Sequence, residues 1–209
     1  MSSFPYPELN GPKDSIRLLR ILHEAGSSSP LIICKIYSVP LVRCPPYVAV
    51  SYAWGTSMLA KDILLNETPF PIRENVWSLL TEMRQHEKLK WRFFWIDAIC
   101  INQMDRKERN HQVRIMREVY ATAANVLVWL GSATAHSDLA MDYVAKQDRK
   151  VAVINKAADY LLRHQRWNDL EGKAFLGLCH NRYWTRVWIV QELMLGKRIM
   201  VFCGSKSFK

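Results

Sequence analysis

The feature that most constrains the fold is the alternation of short apolar runs with segments of helical periodicity. Three runs rich in β-branched and aromatic residues, YVAVSY (47–52), RFFWI (92–96) and NVLVWLG (125–131), are typical of buried strands. Apolar residues at helical spacing lie between them, near 74–83 and across 105–124. Because helical crossovers join parallel strands, this order predicts an α/β fold with a mainly parallel sheet flanked by helices.

Further elements are predicted on both sides of this core. The additional strands are SIRLLRIL (15–22), PLIICKIY (30–37), the two arms of a hairpin in DILLNETPFPI (62–72), and RIMVFC (198–203). The polar residues 132–181 predict a helical insertion, with candidate helices at 137–147, 150–165 and 169–179. A further helix at about 184–196 precedes the last strand. The fold therefore has an N-terminal β extension and a late helical insertion.

Composition indicates a folded, cytoplasmic protein. Hydrophobic residues make up 49% of the 209 residues, yet every apolar run is far shorter than a membrane-spanning helix. The polar, Pro-rich residues 1–15 lack the apolar core of a signal peptide and predict a flexible N-terminal segment. Five widely spaced cysteines, without a C-x-x-C pair, indicate reduced thiols rather than disulfides or a zinc site, so no metal is expected.

Polar and aromatic side chains follow the predicted strands at their carboxyl ends. Ser51–Gly55 follow the first strand, Asp97–Gln103 the second, and Gly131 the third. Ligands of open parallel sheets lie beyond these ends, so this edge is the candidate site. Ser51 and Gly55 allow close backbone approach to a nucleotide, with stacking on an aromatic ring. The alternative is that the aromatic residues of SYAWG, Tyr52 and Trp54, belong to the core.

A carboxylate stands inside an otherwise apolar segment near the C-terminus. In WIVQELML (188–195) only Gln191 and Glu192 are polar. An ionised carboxylate is costly to desolvate without a partner, so Glu192 needs one. Trp188 lies four residues earlier on the same helical face, where the indole can shield the carboxylate from water. The structural alternatives are exposure to solvent or an ion pair with a nearby cation: Arg182, Arg186 or Lys197.

Three blocks of the sequence resemble the fungal heterokaryon incompatibility (HET) domain family. They are YVAVSYAWG (47–55), FFWIDAICINQMDRKERNHQVRIMREVYATAANVLVWLG (93–131), and RVWIVQEL (186–193) followed by VFCG (201–204). With IRLLRIL as a typical lead-in, they predict a HET domain over residues 16–209. The resemblance implies an effector of fungal self/non-self recognition and regulated cell death. Since the chain stops soon after the last predicted strand, we expect it to be truncated at the C-terminus.

A weaker similarity connects these segments with TIR domains, which have a flavodoxin-like α/β fold. Ser51-Tyr52 is similar to the element that ends the first TIR strand, and Asp97 to the acidic residue that ends a later one. Trp188-x-x-x-Glu192 matches a TIR helix motif, although about fifty residues (132–181) intervene here between the fourth strand and that helix. Some TIR domains cleave the nicotinamide–ribose bond of NAD with this glutamate. The resemblance therefore implies that NAD is a substrate and Glu192 a catalytic carboxylate.

The same resemblance implies roles for the other site residues. Glu192 would stabilise the oxocarbenium-like ribosyl cation, as glycosidase carboxylates do. Trp188 and the Ser51–Gly55 loop would hold nicotinamide and ribose, while Asp97 and Gln103 would orient the sugar. No cofactor is required, because the dinucleotide is itself the substrate.

Other function classes stay open. A non-enzymatic signalling module would self-associate or bind other cell-death proteins through the helices at 105–124 and 137–179. In that case the residues at the strand ends are structural. Whichever class applies, Arg186 could meet a pyrophosphate or pair with Glu192, and the pair is favoured. The hypothesis that the protein binds nucleic acid rests only on the net charge of +10. Because basic residues are interspersed with acids, as in DRKERNHQVRIMRE (105–118), a solvated helix face is favoured over nucleic-acid binding.

Overall fold

One mixed sheet runs through the part of the chain that the structure describes. The computed structural model describes residues 4–9, 14–22, 31–55, 60–89, 92–148 and 169–208. The strands in these ranges are β1 (Ser15–Ile21), β2 (Ile33–Pro40), β3 (Tyr47–Tyr52), β4 (Ala60–Leu65), β5 (Thr68–Arg73), β6 (Phe93–Trp95), β7 (Asn125–Trp129), β8 (Ile199–Cys203) and β9 (Lys206–Phe208). Their order across the sheet is β5-β4-β2-β1-β6-β3-β7-β8-β9. With helices between its strands, the sheet confirms the predicted α/β class.

Four parallel strands at the centre of the sheet position the candidate site. β3 pairs with β6 on one side and β7 on the other, and β8 pairs with β7. In chain order these strands run 2-1-3-4, the order with which flavodoxin-like sheets begin. Ligands of open parallel sheets lie beyond the carboxyl ends of the strands, and the cleft described below lies beyond those of β3 and β6. All six residues of β3 are buried, since strands flank it and both its faces are covered.

Antiparallel strands extend this core on both sides. β1 pairs with β2 and with β6, which joins the predicted N-terminal strands to the parallel core. β4 and β5 form the predicted hairpin, and both turn residues, Asn66 and Glu67, have positive φ, as a type I′ turn requires. β9 pairs with β8. With only three residues, it is too short for an alternating pattern to reveal it in the sequence.

The helices cover the sheet and the C-terminal part of the chain. Those in the described ranges are α1 (Glu74–Gln85), α2 (Asp97–Cys100), α3 (Arg106–Arg114), α4 (Met116–Thr122), α5 (Ala135–Asp148), α6 (Leu170–Cys179) and α7 (Ile189–Met194). α1 buries the predicted face: Val76, Leu79, Leu80 and Met83. α5 and α6 confirm two of the helices predicted within 132–181. The candidate helix 150–165 lies outside the described residues.

Two predicted helices are shorter than expected. The single helix predicted over 105–124 is interrupted at Ile115, where φ is −93° and ψ is 4°. Its halves have different anchors: Gln112 of α3 donates to a carbonyl of β1, whereas Tyr120 of α4 donates to a carbonyl of β3. Val113, one of the apolar residues at helical spacing within 105–124, is 39% exposed. Near 184–196 the helix is reduced to α7, which follows a 3-10 turn at Arg182–Thr185.

Two apolar clusters stabilise the molecule. The larger surrounds the sheet, and the smaller joins α5 and α6 to Tyr183 and Phe208. In the N-terminal segment, Phe4 and Tyr6 make edge-to-face contacts with Phe70 of β5. Among the described helices none is long and apolar enough to cross a membrane. The domain boundaries at 15/16, 131/132 and 181/182 remain predictions.

Candidate functional site

The carboxylate of Glu192 lies buried beneath the carboxyl end of β3. Its α7 side chain is 1% exposed and forms a two-pronged ion pair with Arg186, in which Nη1–Oε2 and Nη2–Oε1 are both 2.8 Å. The Ser51 hydroxyl donates a further hydrogen bond to Oε2. Glu192 therefore has the partner that its burial requires, and the predicted pair with Arg186 is present.

Tyr183 completes this cluster from the 3-10 turn. Its hydroxyl lies 2.6 Å from Ser51 Oγ, and Arg186 Nη1 donates to the same oxygen over 3.1 Å. A serine hydroxyl has one proton, which Ser51 gives to Glu192. Tyr183 must therefore be the donor in its bond with Ser51. Every hydrogen-bonding position of Ser51 is occupied, so the serine is a fixed bridge between β3 and α7.

The electrostatics of the cluster favour a protonated guanidinium at Arg186 and protonated phenols beside it. Burial alone lowers the pKa of Arg186, but the contact with Glu192 outweighs burial and holds this pKa above its ordinary value. Burial raises the pKa of Tyr183 to about 12. It also raises the pKa of Tyr120 well above the usual range, and the charge of Glu192 adds to this effect. Both phenols therefore stay protonated at neutral pH.

A cleft of about 630 Å³ opens beside the ion pair, within the size range of small-molecule sites. Four stretches of chain line it: Ala53–Gly55 after β3, the 97–103 region after β6 (Asp97, Ile101, Gln103), the α3–α4 helices (Arg109, Val113, Met116), and the C-terminal segment (Arg182, Thr185–Trp188, Glu192). The predicted juxtaposition of the first two strand ends with Glu192 is therefore present in the fold.

Most of the predicted site residues line this cleft, and two lie beneath it. Those that line it are Trp54, Gly55, Asp97, Gln103, Arg186, Trp188 and Glu192, of which Glu192 is buried behind Arg186. Ser51 and Tyr52 are 0% and 1% exposed, in the layer below. Ser51 still reaches the cluster through Glu192, whereas Tyr52 is a core aromatic, the alternative that the sequence left open. Burial raises the pKa of Tyr52 well above its usual range, and the charge of Asp97 adds to it.

Trp54 and Asp97 form the second polar contact of the cleft. Trp54 Nε1 donates to Asp97 Oδ2 over 2.9 Å, while the indole is 41% exposed. Asp97 does not close β6, as predicted, but opens α2, where its Oδ1 accepts from the backbone N–H of Ala98. Gln103 Nε2 donates to the backbone oxygen of Asp97 over 2.9 Å. Gly55 has φ +73°, a conformation that suits glycine.

Trp188 differs in position from the sequence prediction. It precedes the first residue of α7 and is 48% exposed, so it forms part of the cleft surface. The groups bonded to the buried carboxylate are Ser51 and Arg186. The indole is therefore available to a ligand.

Several residues of the site escaped sequence reasoning. Tyr183 carries no motif, and only its place two residues after an Asn cap, Asn181, indicates a fixed turn. Asn75, the second residue of α1, accepts from Trp129 Nε1 over 2.9 Å and donates to the Ala53 carbonyl. It thereby ties the ends of β3 and β7 together. Arg109 was assigned to a solvated helix face, but its side chain lines the cleft.

Comparison with known proteins identifies the family. The model of the family described as heterokaryon incompatibility protein (HET) matches residues 47–192, more than half of the chain, so the chain belongs to this family. It is 28% identical over 243 aligned residues to heterokaryon incompatibility protein 6, OR allele, of Neurospora crassa. That alignment covers 98% of this chain and 35% of the relative, so the chain spans about a third of that protein's length. No solved structure is significantly similar to this chain.

Proposed function

We propose that this chain is an effector module of fungal heterokaryon incompatibility and acts by cleaving the nicotinamide–ribose bond of NAD in the cleft. Family membership and the name of the Neurospora relative support the biological role. One observation carries the chemistry: a buried carboxylate, Glu192, lies at a cleft formed by strand ends that also supply Trp54 and Asp97. Regulated cell death would follow from depletion of the dinucleotide.

Glu192 would act on the ribose. During cleavage the C1′–N1 bond breaks and its electron pair leaves with nicotinamide, which becomes neutral. The positive charge that develops on the ribose is stabilised by a nearby carboxylate. Water then adds to C1′ and loses a proton, so the products are nicotinamide, ADP-ribose and H⁺. The exposed indoles of Trp54 and Trp188 offer flat apolar surfaces for the aromatic rings of the ligand.

The ion pair makes the described arrangement a resting state under this proposal. Arg186 occupies both oxygens of Glu192, so the carboxylate cannot face a ribose until the guanidinium moves. The Arg186 side chain is 20% exposed and lines the cleft, which gives it room to move toward a ligand. Ser51 keeps the carboxylate in place during that movement.

Nicotinamide release tests the proposal. We expect the purified protein, alone or clustered on a scaffold, to release nicotinamide from NAD, and Glu192→Gln to lose this activity by roughly 100-fold or more. Gln191→Ala is the matched control, since Gln191 is an exposed neighbour that does not line the cleft. Circular dichroism confirms that each variant is folded. Equal release by wild type and Glu192→Gln would reject Glu192, and absence of release in every assembly state would reject the enzyme.

A second candidate is a non-enzymatic signalling module. Val187, Val190 and Met194, in and just before α7, are 86%, 64% and 79% exposed, which is unusual for apolar side chains that share one short segment. Such a surface is typical of protein association. Incompatibility signalling retained by Glu192→Gln and lost by Val190→Asp would favour this function over NAD cleavage.

A further inference from the structure

The cleft contains more arginine side chains than carboxylates can neutralise. Arg109, Arg182 and Arg186 all line it, against two carboxylates, Asp97 and Glu192. Glu192 is held by Arg186, and Asp97 by Trp54. Within the described ranges, neither Arg109 nor Arg182 forms an ion pair through its guanidinium. Arg109 and Arg182 therefore have no ion-pair partner among the described residues. Three arginines against two carboxylates also leave the concave surface with a net positive charge, whose field low-dielectric walls strengthen.

The position of Arg109 distinguishes it from the other basic residues of its helix. Arg109 and Val113 lie one turn apart on the same face of α3, and both line the cleft together with Met116, the first residue of α4. Arg106 and Arg114 belong to the same helix but do not line the cleft. The side chain of Arg109 is half-buried, whereas those of Arg106 and Arg114 are exposed. One guanidinium of this basic helix is thus selected for the cleft.

Arg182 is positioned by a fixed turn. Asn181 caps the turn by accepting from the backbone N–H of Tyr183, and its Nδ2 donates to the Leu130 carbonyl at the end of β7, each over 2.9 Å. The next residue, Tyr183, is fully buried. The backbone of Arg182 is therefore fixed by its two neighbours, Asn181 and Tyr183. Because the turn is already ordered, the Arg182 side chain can bind a ligand without an entropic cost for ordering the backbone.

We propose that Arg109 and Arg182 form a diphosphate subsite in the cleft, for the pyrophosphate of a dinucleotide or of a nucleoside diphosphate. This inference rests on the proposed function, since it names the part of the site that holds the substrate. Guanidinium groups bind phosphate oxygens through paired, charge-assisted hydrogen bonds, and two of them match the two negative charges of a diphosphate. Arg186 can exchange Glu192 for the same anion, which frees the carboxylate when the substrate arrives.

Ligand binding to the purified chain tests the subsite. Calorimetry at low salt compares ADP, ADP-ribose, inorganic pyrophosphate and adenosine. We expect the three diphosphates to bind, adenosine to bind at least tenfold more weakly than ADP, and Arg109→Gln and Arg182→Gln each to weaken ADP binding by roughly tenfold. Arg106→Gln and Arg114→Gln remove the same charge from the same helix outside the cleft, and we expect less than a twofold change from either.

Three results would overturn the subsite. They are adenosine binding as tight as that of ADP, loss of ADP affinity in Arg106→Gln equal to that in Arg109→Gln, and no binding of any diphosphate to wild type. A fourth result would overturn it in favour of a nucleic-acid surface. This is a larger loss of affinity for a single-stranded oligonucleotide than for ADP in Arg109→Gln and Arg182→Gln.

Nicotinamide release, measured in parallel, separates this inference from the proposed function. Arginine-dependent ADP binding without nicotinamide release by wild type supports the subsite and rejects the cleavage. Nicotinamide release with an unchanged KM for NAD in the Arg109→Gln/Arg182→Gln variant rejects the subsite and leaves the cleavage. The circular dichroism spectrum shows that this variant is folded.

Discussion

Two buried Arg–Glu pairs in this molecule have the same bonding pattern but different surroundings. Arg17 of β1 pairs with Glu108 of α3 through contacts of 2.6 and 2.9 Å, much as Arg186 pairs with Glu192. In the first pair the arginine is the buried partner, at 2% exposure; in the second it is the carboxylate, at 1%. The first pair is therefore closed to ligands, whereas the second presents its cation to the cleft.

The remaining contacts of each pair explain this difference. Arg17 also donates to the carbonyls of Pro7 and Cys100, and its guanidinium stacks on Tyr6 at 4.7 Å. Glu108 accepts in addition from the backbone N–H of Asn102. This pair thus joins four segments of chain, and these contacts leave no side of the Arg17 guanidinium open to a ligand. A buried Arg–Glu pair therefore does not by itself indicate a functional site. The indication comes from a partner that remains accessible to a ligand, as Arg186 does and Arg17 does not.

The largest expected effect comes from breaking the closed pair. Arg17→Met leaves Glu108 without its cation and frees two carbonyls, so we expect the free energy of unfolding to fall by about 3–5 kcal/mol. Urea denaturation measures the loss. The double variant Arg17→Met/Glu108→Gln should recover part of it, because no unpaired charge remains. A loss below about 1 kcal/mol in the single variant would contradict the conclusion that this pair stabilises the fold by joining these segments.

Breaking the open pair should cost less stability. In Glu192→Gln the side chain keeps its shape, and Arg186 can hydrate through the cleft, so we expect a loss of about 1–2 kcal/mol in urea denaturation. We therefore predict a smaller loss in the free energy of unfolding for Glu192→Gln than for Arg17→Met. A loss as large as that of Arg17→Met would mean that Arg186 is as confined as Arg17.

Tyr183→Phe tests the bridge through Ser51 and has a defined pH dependence. Below about pH 10, loss of its hydrogen bond should cost about 1 kcal/mol. The pKa of Tyr183 is raised to about 12 in the folded state, above that of an unfolded tyrosine. The folded protein therefore retains a proton that the unfolded chain loses, and this contribution disappears as pH rises from about 10 to about 12. The stability difference between wild type and Tyr183→Phe should shrink over that interval. A constant difference would exclude an unusual environment for this hydroxyl.

The smallest effect on stability is expected at the cleft surface. Trp188 is half-exposed, so Trp188→Leu should change the free energy of unfolding by less than about 0.5 kcal/mol. If its indole stacks on a ligand base or nicotinamide, the same substitution should weaken NAD binding by roughly tenfold. Calorimetry measures the affinity, with Leu170→Ala as a control at another exposed apolar residue. Unchanged affinity would remove Trp188 from the site.

Sequence patterns predicted the parts of the fold that depend on local periodicity. The apolar runs of β3 and β7, and the buried face of α1, follow from spacing alone. The start of α3 is also encoded locally, because Asp105 accepts from the backbone N–H groups of Lys107 and Glu108. The interruption at Ile115 was not predictable, because it depends on which strand each half of the helix contacts.

The site was predictable where a residue is tied to a strand end or a motif. Trp54, Asp97 and Glu192 were expected together, and they share the cleft. Tyr183 and Arg109 were missed, since their roles come from contacts between segments distant in sequence. Tyr183 and Ser51, for example, are 132 residues apart. No local pattern encodes such a contact.

The most direct test of the central claim is a crystal structure of the chain bound to a non-hydrolysable NAD analogue. We predict that the analogue lies in the cleft, with Glu192 facing C1′ of the nicotinamide ribose and Arg186 turned from Glu192 to the diphosphate. An analogue bound elsewhere would contradict the account. So would an Arg186–Glu192 pair that keeps both of its 2.8 Å contacts while the analogue occupies the cleft.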